Sequence, residues 1–563
     1  DAFSVWRLPS EAAEGTWRLL SPDAPIGGAL PRMEPGQRLV LLAGLPPPGT
    51  VLLAPGGAPM PLAAPPAALP GLLPLARRGG EPRRVLLDLL ARRAVAGEAR
   101  AAACLRDIGL LAPARVAALA DPALPVGGAL EAALPDGEGR AFLRGWLRDP
   151  LGLVESVALR APGGSVPVAA VHRVPRPDLA ERLRQAPQGD AGPAPGFLAW
   201  LPEAGLAEGT AQLGLELRLA SGQILRLVAP PGLLPPAAAR DLVLSATTPD
   251  LATPVLMEHC ISPAAARFHA AATAPGPAPE RIALGAAQPR RAAVTVVVPL
   301  WRNLSFLRFQ LAAFARDAAF RGPRAAELVY VLDSPEDRAE AEAVLRGLAL
   351  LHGLPVTLLV QDRNRGYAPS CNLGAAAGSA PLLLFLNSDV VPHGPGWLGA
   401  LRARLARDGR LAAVGPKLLY ASGAIQHAGL FFAPTPDGEW GSNHYFKGWP
   451  RDHAPACRAR RVPAVTGAAM LVRRDAFEAV GGFATDYILG DFEDSDLCLR
   501  LRAAGGEIGY EPAAELYHLE RQSISDHPGH AGTLAALHNR RLHAARWGDA
   551  IAALMRRHPH PRG

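Results

Sequence analysis

Residues 384–391 read LFLNSDVV, and this stretch decides how the second half of the chain folds. The apolar run ends on Asn387, Ser388 and Asp389. These residue types are common in turns because their short side chains bond to nearby backbone. A carboxylate at the carboxyl end of a parallel strand also lies where open α/β sheets bind ligands, and it suits a metal ion. Alone, the stretch favours the turn, so the surrounding sequence has to decide.

Four apolar runs, and the helical stretches between them, predict a parallel sheet. The helical stretches include LSFLRFQLAAFARDA at 304–318, in which apolar residues recur at helical spacing. Uninterrupted Val and Leu runs need cover on both faces. We therefore expect an α/β domain, a mostly parallel sheet with helices on both faces, in residues 291–525. The four runs are AVTVVVPL at 293–300, AELVYVLD at 326–333, VTLLVQ at 356–361 and PLLLFLNSD at 381–389.

The carboxyl ends of these strands supply candidate binding residues. Pro299 and Trp301 end the first strand, Asp333 ends the second, and residues 387–389 end the fourth. A nucleotide could lie along this edge. Asp333 could accept hydrogen bonds from its ribose or base, and a turn role is the alternative. A Rossmann dehydrogenase and a P-loop ATPase are not supported, because the chain has neither a GxGxxG turn after its first strand nor a GxxxxGKS or GxxxxGKT loop.

Composition argues against a nucleic-acid partner and favours the cytoplasm. The formal charge is +7, but the basic residues are almost all Arg and are scattered instead of clustered in a stripe with aromatic residues. The five cysteines are widely spaced without a CxxC pair, which is typical of a reducing compartment. Residues 39–76 carry no charge, but their many prolines rule out an unbroken transmembrane helix. No signal-peptide pattern is visible.

The first half of the chain divides into three predicted regions. Residues 1–135 mix short apolar runs with a helical stretch and are rich in Pro and Ala. We expect a mixed α/β N-terminal region, whose fold the sequence does not specify. Residues 136–232 alternate apolar and polar positions between turns, which predicts a β-sandwich-like accessory domain. Residues 233–290 read as a helical, Pro/Ala-rich connector. The sandwich could bind a glycan or a partner protein, or act as a spacer.

Seven ordered blocks give residues 291–525 a resemblance to a known family. In this order and spacing they resemble family 2 glycosyltransferases of the bacterial surface-polysaccharide type, which have the GT-A fold. The resemblance implies an inverting hexosyl- or deoxyhexosyltransferase that moves a sugar from a nucleotide-diphosphate donor to a glycan or glycolipid acceptor. The blocks are VTVVVPLWRN, YVLDSPED, NRGYAPSCNLGAAAGSAPLLLFLNSDVV, VGPKLLYASGAIQHAGL, VTGAAMLVRRDAFEAVGGF, GDFEDSDLCLRLRAAGG and YHLERQS.

The resemblance also implies a donor site. Residues 387–389 take the place of the DxD motif, which helps to bind the cation on the donor's diphosphate. Gly366, Asn372 and Gly374 match a helix start where free backbone N–H groups could approach the nucleotide sugar, and ordinary turn and cap chemistry explains them equally well. The implied donor-site residues are Pro299, Trp301, Asp333, Asn364, Gly366, Asn372, Asn387, Ser388, Asp389 and Gly467.

The implied metal site departs from the family pattern at one position. Asn387 stands where the first acid of the DxD motif is expected, so one anionic ligand is lost. Asp389 then has to bind the Mn²⁺ or Mg²⁺ ion, with His518 as the second ligand. Asparagine can still offer a carbonyl oxygen to either ion. A structural role for His518 is an equal alternative.

The segment GDFEDSDLCLRLRAAGG, at 490–506, carries four acids before a helix. Acids at a helix start favour the helix dipole and cap its free N–H groups, which explains them without catalysis. The resemblance makes Asp494 the catalytic base. This role is chemically sound, because a sugar hydroxyl is a poor nucleophile until a positioned carboxylate accepts its proton.

Two further segments carry weaker signals. Residues 434–455 form a long polar loop whose aromatic residues could stack on acceptor sugars, or could fasten it to the surface. Residues 526–563 read as amphipathic helices with a basic face. We expect them to pack on the catalytic domain, and peripheral attachment to the inner membrane is the weaker alternative.

Two rival functions stay open at this point. A glycan-binding or scaffolding protein could retain the fold with weak catalysis, and Asn387 keeps this alternative alive, whereas Asp389 and Asp494 argue against it. A nucleotidyltransferase would instead release pyrophosphate from a nucleoside triphosphate.

Overall fold

The chain divides into two compact units, Asp1–Leu234 with Thr253–Ala264, and Pro235–Ala252 with Ala265–Gly563. The domain limits given above stay a prediction. A computed structural model of the 563-residue chain describes residues 3–7, 18–21, 24–29, 39–43, 50–53, 59–61, 80–110, 126–149, 152–161, 164–179, 194–206, 213–219, 224–230, 233–289, 291–435, 438–519 and 533–558.

The described part of the first unit contains short strands and a pair of helices. Helices α1 (Gly80–Val95) and α2 (Ala99–Leu110) share a cluster of buried leucine and alanine side chains. The strands are β1 (Phe3–Arg7), β2 (Arg18–Ser21), β3 (Ala24–Ala29), β4 (Leu39–Ala43), β5 (Val51–Leu53), β6 (Pro59–Pro61), β7 (Gly127–Pro135), β8 (Ala141–Arg148), β9 (Val154–Ala161), β10 (Gly164–Pro167), β11 (His172–Val174), β12 (Gly196–Leu201), β13 (Gly214–Leu219) and β14 (Ile224–Val228).

Two antiparallel sheets of the first unit form a sandwich-like core. Their strand orders are β10-β9-β13-β14 and β11-β12-β8-β7. Leu143 and Phe197 from one sheet and Leu217 from the other belong to a single hydrophobic cluster. This is the arrangement that period-two alternation predicts, because each strand points every second side chain to one face. Strand β7 begins at Gly127, ahead of the predicted limit at residue 136.

The remaining strands belong to the second unit. They are β15 (Glu280–Gly285), β16 (Thr295–Leu300), β17 (Glu327–Leu332), β18 (Pro355–Val360), β19 (Leu382–Leu386), β20 (Val390–Pro392), β21 (Leu411–Leu419), β22 (Ile425–His427), β23 (Leu430–Pro434), β24 (Trp440–His444), β25 (Arg460–Arg461), β26 (Ala469–Arg473) and β27 (Glu507–His518).

From residue 235 onward the helices follow in chain order. They are α3 (Pro236–Leu244), α4 (Pro254–Leu256) with the π-helical turn Met257–Ile261, α5 (Ser262–Thr273), α6 (Leu307–Arg316), α7 (Arg338–His352), α8 (Tyr367–Ala377), α9 (Trp397–Arg407), α10 (Arg474–Ala479), α11 (Glu493–Ala503) and α12 (Leu534–Met555). Short 3₁₀ turns lie at Pro249–Leu251, Ala318–Phe320, Pro335–Asp337 and Ala454–Cys457.

One large sheet organises the second unit. Its strand order is β15-β18-β17-β16-β19-β26-β21-β27-β20, and in addition β22 pairs with β21 and β25 pairs with β27. The run β18-β17-β16-β19 is parallel, as the alternation of strands and helices predicts. Beyond it the sheet is mixed, since β26 is antiparallel to β19, whereas β21 and β27 are parallel to each other. The segments between these later strands do not repeat the strand–helix alternation, so the sequence pattern did not show their directions.

Both faces of the parallel strands are buried, which explains their uninterrupted apolar runs. In β16, Val296 and Val298 lie in one hydrophobic cluster and Val297 lies in the other. The alternation follows from the period of two along a strand. Helix α6 covers the first face through Leu311, and α8 covers the second through Cys371.

Helix α12 ends the described part of the chain. Its N-cap is Thr533, whose Oγ1 accepts from the N–H of Ala536 at 3.3 Å. Ile551 and Leu554 join the hydrophobic cluster on the α8 face, so α12 packs on the sheet domain as expected. Within the described residues, no helix is both long enough and apolar enough to cross a membrane.

Candidate active site

One buried glutamine holds the turn at residues 387–389. Gln310 of α6 donates from Nε2 to the carbonyl oxygens of Asn387 at 3.0 Å and Val390 at 2.9 Å. Its Oε1 accepts from the hydroxyl of Tyr330 at 3.0 Å. Gln310 is fully buried, so these bonds satisfy a side chain that water does not reach. The sequence patterns did not single out Gln310; its only signal was a polar residue on the apolar face of a helix.

Asp389, in the turn before β20, and His518, at the end of β27, lie side by side. Val390 of β20 pairs with His518 of β27, and the N–H of Leu519 donates to the backbone oxygen of Asp389 at 3.1 Å. His518 Nε2 lies 3.5 Å from Asp389 Oδ1. Within the described residues, no group of three or more His, Cys, Asp or Glu side chains is placed to hold a metal ion. A cation at this pair would therefore need further ligands from elsewhere.

Asn387 offers one such ligand. Its side-chain Oδ1 is buried and has no hydrogen-bond partner among the described residues. An unpaired buried carbonyl oxygen is costly, and binding a cation would remove that cost. Mg²⁺ and Mn²⁺ accept carboxylate and amide oxygens, and Mn²⁺ also accepts imidazole. The side chains of Asn387, Asp389 and His518 therefore fit a divalent cation that completes its coordination with phosphate oxygens and water.

Asp494 is connected to the same turn through two consecutive residues. Its Oδ2 accepts from the N–H of Gly467 at 2.9 Å. The carbonyl oxygen of the next residue, Ala468, accepts from the N–H of Asn387 at 2.9 Å. The fold thus connects Asp494 to the backbone of Asn387, which lies more than 100 positions earlier in the sequence.

Burial perturbs the two acids at the start of α11. It raises the pKa of Asp494, and the charge of Asp491 acts in the same direction, whereas the N–H groups of Gly467 and Ser495 lower it. Burial also raises the pKa of Glu493 well above its usual value, followed by the charge of Asp494. A carboxylate with a raised pKa is the stronger proton acceptor, which suits a general base.

A left-handed turn precedes Asp494. Leu489, Asp491 and Phe492 have φ values of 62°, 70° and 74°, and Gly490 lies between them at 113°. Non-glycine residues pay a steric cost in this region, so the surrounding structure must hold the turn. Asn539 of α12 does so by a set of hydrogen bonds. Its Oδ1 accepts from the N–H of Ile488 at 2.8 Å, and its Nδ2 donates to the carbonyl oxygens of Ile488 and Gly490 at 2.9 and 2.5 Å.

Asp333 fastens the loop that leads into α8. Its carboxylate is buried and accepts from the N–H groups of Arg365 at 2.8 Å and Gly366 at 2.7 Å, and from Gln361 Nε2 at 2.6 Å. Burial raises the pKa of Asp333 to about 7, and the two backbone N–H groups oppose this rise. The structure shows this loop-holding role directly, while nucleotide contact by Asp333 stays a prediction.

The other residues predicted at the strand ends lie at the same edge. Pro299 is partly exposed within β16, and the Arg302 guanidinium lies 4.8 Å from the ring centre of Trp301. Asn364 is exposed in the loop before α8. Gly366 starts α8 with φ of 95°, a conformation that favours glycine. Their contact with a donor stays a prediction.

Two residues of α8 have packing roles that the structure shows. The Asn372 amide exchanges hydrogen bonds with the backbone of Phe483, at 2.8 Å to its N–H and 2.9 Å to its carbonyl oxygen. A Cβ on Gly374 would lie 2.3 Å from Val297 Cγ1, so only glycine lets the helix approach β16 this closely. These contacts agree with the cap-and-packing alternative, and a donor role for Asn372 stays a prediction.

Two histidines join the long loop to the sheet. The Nδ1 atoms of His427 in β22 and His444 in β24 lie 3.0 Å apart, so one ring donates a hydrogen bond to the other. Burial lowers the pKa of His444 to about 4 and the pKa of His427 well below its usual value. Within this loop Tyr445 is buried, whereas Trp449 is 45% exposed. An acceptor role for the loop stays a prediction.

Comparison with known proteins assigns the sheet domain. Residues 289–549 match the family model described as "Glycosyltransferase like family 2". This part of the chain is a family 2 glycosyltransferase domain. The assignment confirms the resemblance stated from the seven sequence blocks and the fold expected from it.

Curated relatives match less than half of the chain. The pre-mycofactocin glycosyltransferase of Mycobacterium tuberculosis is 29% identical over 252 residues, which cover 44% of this chain and 48% of that protein. The N-acetylglucosaminyl-diphospho-decaprenol L-rhamnosyltransferase of the same species is 33% identical over 204 residues, covering 32% of this chain and 64% of that protein. The O-antigen biosynthesis protein RfbC of Myxococcus xanthus is 32% identical over 176 residues, which cover 29% of this chain and 13% of that protein. The chain thus spans less than two thirds of the length of these relatives.

A solved structure with similarity to the chain is the mannosyltransferase PcManGT of Pyrobaculum calidifontis in complex with GDP-Man and Mn²⁺. The two proteins share 19% sequence identity, and their match has a TM-score of 0.31. It covers 41% of this chain and 58% of the mannosyltransferase chain.

Proposed function

We propose that the glycosyltransferase domain moves a sugar from a nucleotide-diphosphate donor to a hydroxyl of a glycan or glycolipid, with inversion at the anomeric carbon. One observation carries the proposal. The backbone of Asn387, at the start of the 387–389 turn, and the carboxylate of Asp494 bond to the consecutive residues Ala468 and Gly467, and Asp389 of the same turn lies beside His518. A leaving diphosphate and an attacking hydroxyl would therefore each have a dedicated partner.

The reaction follows from these positions. Asp494 accepts the proton of the acceptor hydroxyl while that oxygen forms a bond to the anomeric carbon, and the bond from that carbon to the diphosphate oxygen breaks. A single displacement inverts the configuration. Asn387, Asp389 and His518 would hold the divalent cation, Mn²⁺ or Mg²⁺. When bound, the cation supplies electrostatic compensation for the charge that grows on the diphosphate.

The names of the relatives suggest the biological setting. One relative is named for O-antigen biosynthesis, and another for rhamnosyl transfer to a diphospho-decaprenol carrier. By analogy, the domain would transfer a hexose or deoxyhexose in bacterial surface-polysaccharide assembly. It would act in the cytoplasm and meet its acceptor at the inner face of the membrane.

The test is release of free nucleoside diphosphate from a panel of nucleotide sugars with Mn²⁺. We expect one donor to turn over and Asp494→Asn to lower kcat at least 100-fold, since a general base contributes about 10² to 10⁴ in rate. Asp475→Asn, an exposed acid on α10, is the matched control and should keep wild-type activity. If no donor turns over, or if Asp494→Asn matches wild type, the glycan-binding alternative is favoured. Pyrophosphate release from a nucleoside triphosphate would indicate a nucleotidyltransferase.

A further inference from the structure

Gln426 contacts His518 through both ends of its side-chain amide. It lies in β22, between Ile425 and His427, and is 1% exposed. Its Oε1 is 2.8 Å from His518 Nδ1, and its Nε2 is 3.4 Å from the backbone oxygen of His518. These two contacts come from residues 92 positions apart in the chain.

The second contact decides which way the amide points. The backbone oxygen of His518 can only accept a hydrogen bond, so the atom of Gln426 that faces it must be the NH₂ group. The carbonyl oxygen Oε1 therefore faces the His518 ring. Since Oε1 can only accept, Nδ1 of His518 must carry a hydrogen and donate it. In the neutral ring this leaves the lone pair on Nε2.

The free lone pair of His518 faces Asp389. The distance from Nε2 to Oδ1 is 3.5 Å, longer than a hydrogen bond. His518 Nε2 and Asp389 Oδ1 each have a lone pair available, and at this separation both could bind one cation placed between them. In octahedral coordination with bonds near 2.1 Å, adjacent ligand atoms lie about 3 Å apart. A small closure around the ion would satisfy both ligands.

We propose that Gln426 is the positioning residue that presents His518 Nε2 to the donor's divalent cation. This rests on the proposed function, because it concerns the cation of that same site. Ring nitrogens of metal-binding histidines commonly have such an outer partner, which fixes the tautomer and the ring plane. The neighbours keep Gln426 in place, since His427 is fully buried and bonded to His444.

The test compares Mn²⁺ binding by full-length variants in the presence of UDP, GDP or dTDP. Gln426→Met has similar length without a strong acceptor and should bind Mn²⁺ 10- to 100-fold more weakly, the usual cost of losing an outer-shell partner. Gln426→Glu keeps an acceptor for the Nδ1 hydrogen and should stay within a few-fold of wild type. Gln426→Ser is a second removal variant, for which the same loss is expected. Thermal melting checks that each variant is folded.

A spectroscopic readout separates positioning from a general structural effect. Pulsed electron paramagnetic resonance on bound Mn²⁺ detects the ¹⁴N nucleus of a coordinated imidazole. We expect this signal in wild type and Gln426→Glu, and its loss in Gln426→Met and in the reference variant His518→Ala. Wild-type affinity and an unchanged ¹⁴N signal in Gln426→Met would overturn the proposal.

The role of Gln426 and the proposed cation site can be contradicted separately. If wild type binds Mn²⁺ with the ¹⁴N signal but Gln426→Met is unaffected, only the role of Gln426 is wrong. If wild type binds no Mn²⁺ with any of the three nucleotides, the cation part of the proposed function is wrong, and the role of Gln426 with it. Nucleoside diphosphate release and its dependence on Asp494 test the transfer reaction separately.

Discussion

We expect Asn387 to limit the strength of the proposed cation site. It would supply a neutral oxygen where the family pattern has a carboxylate, and affinity for hard cations rises with the charge of the ligands. We expect Asn387→Asp to lower the Mn²⁺ concentration that gives half-maximal nucleotide release about tenfold. Asn387→Ala, which removes the unpaired Oδ1, should raise this concentration. Equal Mn²⁺ requirements in the three proteins would show that the side chain at 387 does not face the ion.

Asp494 should set the pH dependence of the reaction. The base works only when deprotonated, and burial raises its pKa. We therefore expect the acidic limb of the kcat/KM profile to lie at higher pH than the pKa of about 3.9 for an ordinary aspartate. A profile measured from pH 4 to pH 9 with saturating Mn²⁺ checks this. A rate that is flat down to pH 4 would argue against a buried base.

The same acids should cost stability at neutral pH. Because the pKa values of Glu493 and Asp494 are raised on folding, the folded protein holds their protons more tightly than the unfolded chain. The contribution of the two protonated carboxyl groups to the free energy of unfolding is therefore fully present below their unfolded pKa. It is lost as pH rises through their folded pKa. Glu493→Gln should therefore raise the melting temperature at pH 7.5, and less so at pH 4. A lower melting temperature at both pH values would contradict the cost that burial and the nearby Asp494 impose on the charged form of Glu493.

At the scale of elements, α12 holds the turn that precedes Asp494, the proposed base. Removing the Asn539 side chain leaves backbone groups of Ile488 and Gly490 without their partners. We expect Asn539→Ala to lower the unfolding free energy by about 1–3 kcal/mol and to reduce kcat. Asp549→Ala, an exposed position on the same helix, is the control for thermal melting and turnover. If Asn539→Ala keeps full kcat, the turn does not depend on α12.

Helix α6 holds the 387–389 turn through Gln310, as α12 holds the turn before Asp494. Gln310→Leu would preserve bulk but remove the hydrogen bonds from Gln310 to the carbonyl oxygens of Asn387 and Val390. A misplacement of about 1 Å at a reacting group can cost about 100-fold in rate, so we expect kcat/KM to fall 10- to 100-fold. Arg308→Leu, exposed on the same helix, should change little. Steady-state kinetics of both variants test this, and equal values would contradict the role of Gln310.

The sequence predicted the elements better than the contacts between them. The parallel strands were predictable because a strand buried on both faces must be apolar throughout, as in β16 and β17. Gln310 and Gln426 were not predictable, because each acts on residues 77 to 92 positions away. A single polar residue in an apolar stretch signals that some partner exists, but only the folded chain shows which one.

At the scale of the whole molecule, chemistry can be assigned to only one of the two compact units. The glycosyltransferase domain carries the proposed cation ligands, the proposed base and the residues that hold them in place. The sandwich-like sheets of the first unit lie outside the residues matched by the family model. Their role as a glycan-binding module, a partner-binding module or a spacer stays open between the three interpretations offered by the sequence.

The central claim is that residues 389, 518 and 494 serve one bound diphosphate sugar. A crystal structure with Mn²⁺ and the nucleoside diphosphate released in the turnover assay tests it most directly. We expect Asp389 and His518 to hold the Mn²⁺ ion beside the diphosphate, with Asp494 facing the space where the sugar would lie. A nucleotide bound away from this edge, with no metal at Asp389, would contradict it.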